Sequence, residues 1–450
     1  MQSAEVALLP LVTLSRRMHG KEYARVNIMS DEEIEKGESF IDNSSLNLLI
    51  KVTSTLVVIL SALIISLWAV YQTADVTFGG PPSSLELWED EYREMTGLDR
   101  VGGFEGSGVK VCIVDTGIDM SHPDLEDAKI IGWNDLISGS DSPYDDEGHG
   151  TAMAGIIASK GGLNGVSPEA DLLIAKAISD DGSGTDSTIA DAVDWCVDGS
   201  ADIISLSLGG SQGIGSGFFT TDQLEESVQN AIDLGVYVVA AAGNDGEDDD
   251  GDVESPGSVE DVICVGAVTR TSSIWSGSSE GDNNGRLWPN PIFPRQDPDK
   301  KPEIVAPGHE VPILMARSTG SGTWWGWSSG TSASTAWVSG SLAIFLEANP
   351  DMKRDGAQGG ASAISNLKMI ISQNSEMRNG QEDHDDHYGY GLLRIDLIIN
   401  ETQNSSSDSI LQGISSSGIK DIQGKYVQEV QATRRIIASV PPDNSTKETE

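Results

Sequence analysis

Cysteine is scarce in this chain, with three residues in 450. Cys112 and Cys264 lie inside the apolar runs V-K-V-C-I-V-D and D-V-I-C-V-G-A-V, and Cys196 lies in the helical pattern D-A-V-D-W-C-V. An odd, scattered set is neither a disulfide framework nor a zinc-ligand pattern, so all three read as small buried hydrophobes. Positive charge is scarce too. Against 70 Asp and Glu stand 28 Lys and Arg, a formal charge of -42 at pH 7. Phosphate binding needs clustered Lys and Arg, so nucleic acid is set aside as a partner. An acidic surface of this kind keeps a protein hydrated and dispersed at high ionic strength, where its self-repulsion is screened. Service to a particular cationic partner is the alternative. Internal repeats are absent as well.

Long apolar runs are equally rare, and the one present is informative. Val52 to Tyr71 carries no charge. Twenty helical residues at about 1.5 Å each match a bilayer core of about 30 Å. Trp68 and Tyr71 fall at its end, where aromatic rings favour the interface. The run is longer than a signal-peptide core and no A-x-A site follows it, so it reads as an uncleaved anchor. Lys36 and Lys51 precede it, whereas the first basic residue beyond it is Arg93. The positive-inside rule then puts residues 1–51 in the cytoplasm and the bulk of the chain outside a single-pass cell-membrane anchor. Residues 72–105 read as a linker, 106–400 as a folded domain, and 401–450 as a polar, disordered tail. Asn400, Asn404 and Asn444 each open an N-x-[ST] sequon.

From Val109 onward, short apolar runs alternate with helical segments. Strands are expected at Val109–Asp115, Asp171–Ala177, Ala201–Leu208, Val236–Ala242 and Asp261–Val268. Helices are expected at Thr151–Ser159, Thr185–Val197, Thr221–Leu234 and Thr331–Ala348. Apolar strands without alternation, interleaved with helices, indicate an α/β fold: a three-layer αβα sandwich around a mainly parallel sheet, preceded here by one transmembrane helix. Such sheets carry their chemistry at the carboxyl ends of strands and at the helix starts that follow.

Three segments place reactive side chains at such ends. V-K-V-C-I-V-D-T-G-I-D ends a strand on Asp115, G-H-G-T-A-M-A-G puts His149 at a helix mouth, and S-S-G-T-S-A-S-T-A puts Ser332 at another. Singly, each has a plainer explanation as a turn former or a cap. Together they are the parts of a Ser-His-Asp triad, in which Ser332 attacks a carbonyl, His149 takes its proton and Asp115 holds the imidazole. A helix N-terminus under the nucleophile adds N–H groups where an oxyanion would form.

The order Asp, His, Ser in the contexts D-T-G-I-D, H-G-T-x-x-A-G and G-T-S resembles the subtilases. S-H-P-D-L after Asp115, S-L-S-L-G-G (Ser205–Gly210), V-V-A-A-A-G-N (Val238–Asn244), K-P-E-I-V-A-P-G (Lys301–Gly308) and Y-G-Y-G-L-L (Tyr388–Leu393) extend the resemblance from about Gly106 to Asp396. It implies a serine endopeptidase of the subtilisin-like fold acting on protein or peptide substrates. It further implies that the Asn244 amide donates to the oxyanion, and that backbone at Ser207, Leu208 and Gly209 pairs with an extended substrate. His149 separates the chain from the acid-acting sedolisins, which use Glu there. A pH optimum near neutral or above follows, because the base must be unprotonated. No cofactor is required. A transferase passing the acyl group to an amine, and a silent binding module on the same fold, are the competing classes.

The pattern also departs from the family. Ala333-Ser334-Thr335-Ala336 stands where relatives show Met-Ala-x-Pro. The stretch before the domain is too short for the usual propeptide. The link Ser159–Val166 omits the longer loop that holds calcium in many relatives, leaving Asp124 as one matching ligand position. The acidic run Asp245–Glu254 follows Asn244 where the family builds part of the S1 wall; it reads either as a solvated loop or as a preference for Arg or Lys at P1. E-D-H-D-D-H (Glu382–His387) reads as solvated charge rather than a metal site, since H-x-x-H in a loop fixes no geometry. Trp324, Trp325 and Trp327 read as packing, with one of them a candidate for the leaving-group side.

Overall fold

The computed structural model describes residues 43–73, 80–208, 223–246, 253–281 and 295–403. Residues 1–79 and 80–450 are two separate units. In the first, α1 (Asn43–Thr73) contains the expected span and extends it at both ends. Its apolar stretch Ser44–Ala69 has a mean hydropathy of 2.5 and buries none of that surface.

In the second unit the apolar runs become strands. β1 (Lys110–Asp115), β3 (Asp171–Lys176), β4 (Ile203–Leu206), β5 (Tyr237–Ala241) and β6 (Ile263–Val268) form where expected, each trimmed by one to four residues. β2 (Lys129–Asp135) and β7 (Ile304–Pro307) complete a seven-stranded sheet in the order β2-β3-β1-β4-β5-β6-β7. Every neighbouring pair is parallel. The inner strands are buried on both faces, which is why their sequences show no alternation. β2 escaped the reading because it is an edge strand, half exposed and bulged at Ile130 and Gly132. A hairpin of β8 (Val311–Leu314) and β9 (Trp325–Ser328) stands apart from the sheet.

Helices cover both faces. α3 (His149–Ala158) and α6 (Thr331–Ala348) pack on one side, and α4 (Asp186–Asp198) and α5 (Gln223–Asp233) on the other, with α7 (Ala361–Asn374) beside α5. The expected α5 start at Thr221 lies outside the described residues. Nearly every position of α6 is buried, so it is a core helix rather than an amphipathic one. Strands and both helix layers share one continuous core.

Two readings need correction. Cys112 and Cys196 are not separate hydrophobes: they form a disulfide, with Cα atoms 5.8 Å apart. They are 84 residues apart in sequence, and only the packing of α4 across β1 brings them together. Cys264 is buried and takes no part in it. The stretch 72–105 is also more than a linker. Ser83–Thr96 forms α2, whose Leu85, Glu89, Tyr92 and Thr96 recur at helical spacing and face inward. Leu85, Tyr92 and the following Leu98 belong to the main core.

Candidate active site

β1 lies where the sheet's strand order turns, with β2 and β3 to one side and β4 onward to the other. The crevice at such a switch point is where α/β sheets bind ligands. Asp115 ends β1 there, 2 % exposed, and accepts the Thr116 N–H at 2.7 Å. Gly117 has φ +119°, and a Cβ on it would sit 2.0 Å from the Tyr144 carbonyl oxygen. A Cβ on Gly150 would sit 2.2 Å from the Gly117 oxygen. The two glycines of D-T-G and H-G-T thus let the acid and imidazole segments touch.

His149 begins α3, and its Nδ1 lies 2.8 and 2.9 Å from the two Asp115 carboxylate oxygens. Nδ1–H is therefore the donor, which leaves the lone pair to Nε2 whenever the ring is neutral. Burial pushes the imidazole pKa down, but Asp115, Glu147 and Asp145 pull it up more strongly, from 6.5 to about 9. The side chain is 35 % exposed, so solvent screens part of that pull.

Ser332 is the second residue of α6. Its Oγ donates to the Ser207 carbonyl at 2.9 Å, and Ser207 Oγ donates back to the Ser332 carbonyl at 3.2 Å. Among the described residues no hydrogen bond joins Ser332 to His149. Asn244, at the turn after β5, accepts from Thr331 N at 2.9 Å and Thr331 Oγ1 at 3.1 Å through its Oδ1. With Oδ1 engaged, Nδ2 is left to donate. A Cβ on Gly330 would lie 3.6 Å from Asn244 Oδ1, 3.8 Å from Ser332 N and 3.9 Å from Asn244 Nδ2, so both nitrogens lie close to Gly330. Leu208 is half-buried against the core, and Gly209 lies outside the described residues.

Residues 106–391, more than half of the chain, match the model of the subtilase family, peptidase S8. The chain belongs to the subtilase family. It is 37 % identical over 273 residues to serine protease AprX of Bacillus subtilis, covering 56 % of this chain and 59 % of that protein. It is 33 % identical over 298 residues to subtilisin DY of Bacillus licheniformis, covering 65 % of this chain and 92 % of that protein. The chain thus spans about three-fifths of the first relative's length. A crystal structure of a cold adapted subtilisin-like serine proteinase superposes with a TM-score of 0.51 at 24 % identity, over 66 % of this chain and 97 % of that one. That likeness shows the fold.

One group in this subtilase escaped the sequence reading. Asp145 is buried, and its Oδ1 accepts from Thr116 Oγ1 at 2.9 Å, Gly148 N at 2.7 Å and Glu147 N at 3.2 Å. Its Oδ2 accepts from Thr151 N at 2.9 Å and Thr151 Oγ1 at 2.5 Å. One carboxylate thereby ties the residue after Asp115 to the residues on either side of His149. Its signal, an acid four positions before His, is lost in a chain so rich in Asp.

Asp124 does not fit a cation. Its Oδ1 accepts from Gly162 N at 2.8 Å, and its Oδ2 from Leu163 N at 3.0 Å and the Trp325 indole at 2.7 Å. Three N–H groups converge where a metal would need open lone pairs. In E-D-H-D-D-H the histidines diverge, His384 bonding the Pro302 carbonyl at 2.9 Å and His387 pairing with Glu280 at 2.7 Å. Among the described residues no His, Cys, Asp and Glu cluster could hold a metal ion. Residues 247–252 of the acidic run lie outside the described set. Trp325 is buried and Trp324 packs edge-on against His122, as expected of packing residues. Trp327 is 54 % exposed.

Proposed function

We propose that this subtilase is a serine endopeptidase that hydrolyses protein or peptide substrates through Asp115, His149 and Ser332. The observation that carries this reading is the two-oxygen grip of Asp115 on His149 Nδ1, with Asn244 bonded to Thr331, the neighbour of Ser332, at the start of α6. A substrate strand pairs with the backbone at Ser207 and Leu208 and takes over the Ser207 carbonyl as acceptor. Ser332 Oγ then turns from that carbonyl to His149 Nε2, gives up its proton and attacks the scissile carbonyl carbon. The resulting oxyanion is met by Asn244 Nδ2 and Ser332 N–H, near the positive end of α6. His149 passes its proton to the departing amine, leaving an acyl-enzyme. Water, deprotonated by the same imidazole, releases the acid and restores Ser332. The test is hydrolysis of labelled casein by the intact chain and by Ser332→Ala, in low and high salt. The account expects the parent to cleave and the variant to lose at least about 10⁴-fold. Equal activity in both would end it.

The same reading places the domain outside a membrane. α1 crosses once, residues 1–51 lie on the cytoplasmic side, and the catalytic unit includes residues 80–105 as well as 106–400. Support comes from the length and hydropathy of Ser44–Ala69, from Lys36 and Lys51 preceding it, and from a disulfide, which persists in oxidising compartments. Protease added to right-side-out vesicles should digest the domain. Digestion only after lysis would reverse the orientation.

A further inference from the structure

The family match begins at residue 106, yet α2 (Ser83–Thr96) is built into the domain. Its inner face meets both catalytic walls. On the side of α3, which starts with His149, Asn164 N donates to Glu89 Oε1 at 2.8 Å, and Arg93 reaches the Asn164 and Gly165 carbonyls at 3.4 Å. On the side of α6, the fully buried Tyr92 packs edge-on against Trp337, ring centroids 6.0 Å apart. Its hydroxyl donates to the His309 carbonyl. Burial pushes that phenol's pKa upward, so it remains a donor at every working pH.

His309 is not remote from the nucleophile. Its Nδ1 pairs with Ser329 Oγ at 2.9 Å, and the same Oγ accepts the Glu310 N–H at 2.9 Å. The preceding Gly308 carbonyl accepts Gly330 N at 2.8 Å. Ser329 and Gly330 are the turn that delivers Thr331 and Ser332. Arg270 secures the same junction from outside: it lies 4.3 Å over the Trp88 ring and pairs with Glu91 at 3.2 Å and Glu310 at 2.8 Å.

We propose that α2 is a positioning element for the nucleophile, with Tyr92 holding the His309 backbone and, through the His309–Ser329 pair, the turn that presents Ser332. This rests on Ser332 being the nucleophile. The Tyr92 contact would then serve catalysis and not only stability, and losing it would slow the acylation step while leaving substrate binding intact.

The test uses the full chain in detergent, with casein hydrolysis, the rate of fluorophosphonate labelling and Tm as readouts. Tyr92→Phe keeps the ring and removes only the hydroxyl. It should lower kcat and the labelling rate about tenfold, with KM held within about twofold, because small misplacements of a nucleophile are costly. Leu85→Ala hollows the same helix contact without touching His309. It should lower Tm more than Tyr92→Phe while keeping kcat within about twofold of the parent. Parental kcat in Tyr92→Phe, or an equal kcat loss in Leu85→Ala, overturns the proposal. Ser332→Ala separates the two claims. An inactive Ser332→Ala beside an unimpaired Tyr92→Phe sinks the role of α2 alone, whereas an active Ser332→Ala sinks the triad and this inference with it.

Discussion

At the carboxyl ends of the strands, Asp115 and Asp145 are buried beside a partly exposed His149. At the opposite ends, beside the starts of β6 and β7, Lys301, Glu303 and Lys368 are sealed from solvent altogether. There Glu303 Oε1 lies 2.8 Å from Lys301 and 2.9 Å from Lys368, and its Oε2 accepts the Cys264 N–H at 2.8 Å. Lys301 also donates to the Val262 carbonyl at 2.6 Å, and Lys368 pairs with Asp299. Burial drives the Lys301 pKa down, with the neighbouring Lys368 adding to the push against Glu303; for Lys368, burial is outweighed by Glu303 and Asp299, and its pKa is raised. Both regions bury charge, but in the second Lys301, Glu303 and Lys368 are paired and shut in, whereas in the first a single imidazole faces a surplus of carboxylates and keeps contact with water. Proton exchange needs a titratable group that keeps contact with water, and of these two regions the first has one in His149.

The contrast can be broken from its sealed side first. Glu303→Gln leaves Lys301 and Lys368 facing each other, and breaking a buried pair costs about 3–5 kcal/mol. Urea unfolding should show that loss, while kcat at a temperature where the variant stays folded should match the parent. A variant that keeps its stability would show the cluster to be ornamental.

On the catalytic side, Asp145→Asn turns an acceptor of five hydrogen bonds into a half-donor and should lower kcat about 10–100-fold. The pH profile sharpens this. His149 must be neutral to act, so kcat/KM rises with pH through its pKa. In the parent, that acid limb should lie between 6.5 and about 9. Removing the Asp145 charge removes one of the carboxylates that hold the imidazolium, so the limb should move to lower pH. A loss of amplitude with an unmoved limb would mean that Asp145 shapes the loop without acting on the base.

The smallest effect is expected at Glu89, where burial comes first and lifts the carboxyl pKa from 4.5 to about 7, the Asn164 N–H and Arg93 opposing it. A folded pKa above the unfolded one means the ionised form is disfavoured in the fold. The cost is absent below 4.5, grows as pH rises, and is complete above about 7. Glu89→Gln retains an oxygen for Asn164 N–H and should gain about 1–3 kcal/mol at pH 8 and little at pH 4. Equal stability of both proteins at pH 8 would refute it.

Much of this was legible beforehand. The inner strands declared themselves because a parallel strand buried on both faces must be apolar throughout, Asp115, His149 and Ser332 stood out by sitting where those strands and helices end, and Asn244 entered only through the resemblance to the subtilases. What stayed hidden depends on distant contacts. β2 lies on an edge and looks half polar. Cys112 and Cys196 meet only once α4 crosses β1. α2 resembles a charged linker, since just four of its inward positions are buried and one of them is Glu89. Asp145 is one Asp among many until its five donors are seen.

The central claim is that His149, held by Asp115, activates Ser332. Its most direct test is fluorophosphonate labelling of the intact chain at pH 6 and pH 9, with the adduct mapped by mass spectrometry, in the parent and in His149→Ala. The account predicts an adduct on Ser332 in the parent, formed faster at pH 9, and almost none in His149→Ala at either pH. A folded parent that takes no label, an adduct on another residue, or equal labelling without His149 would contradict it.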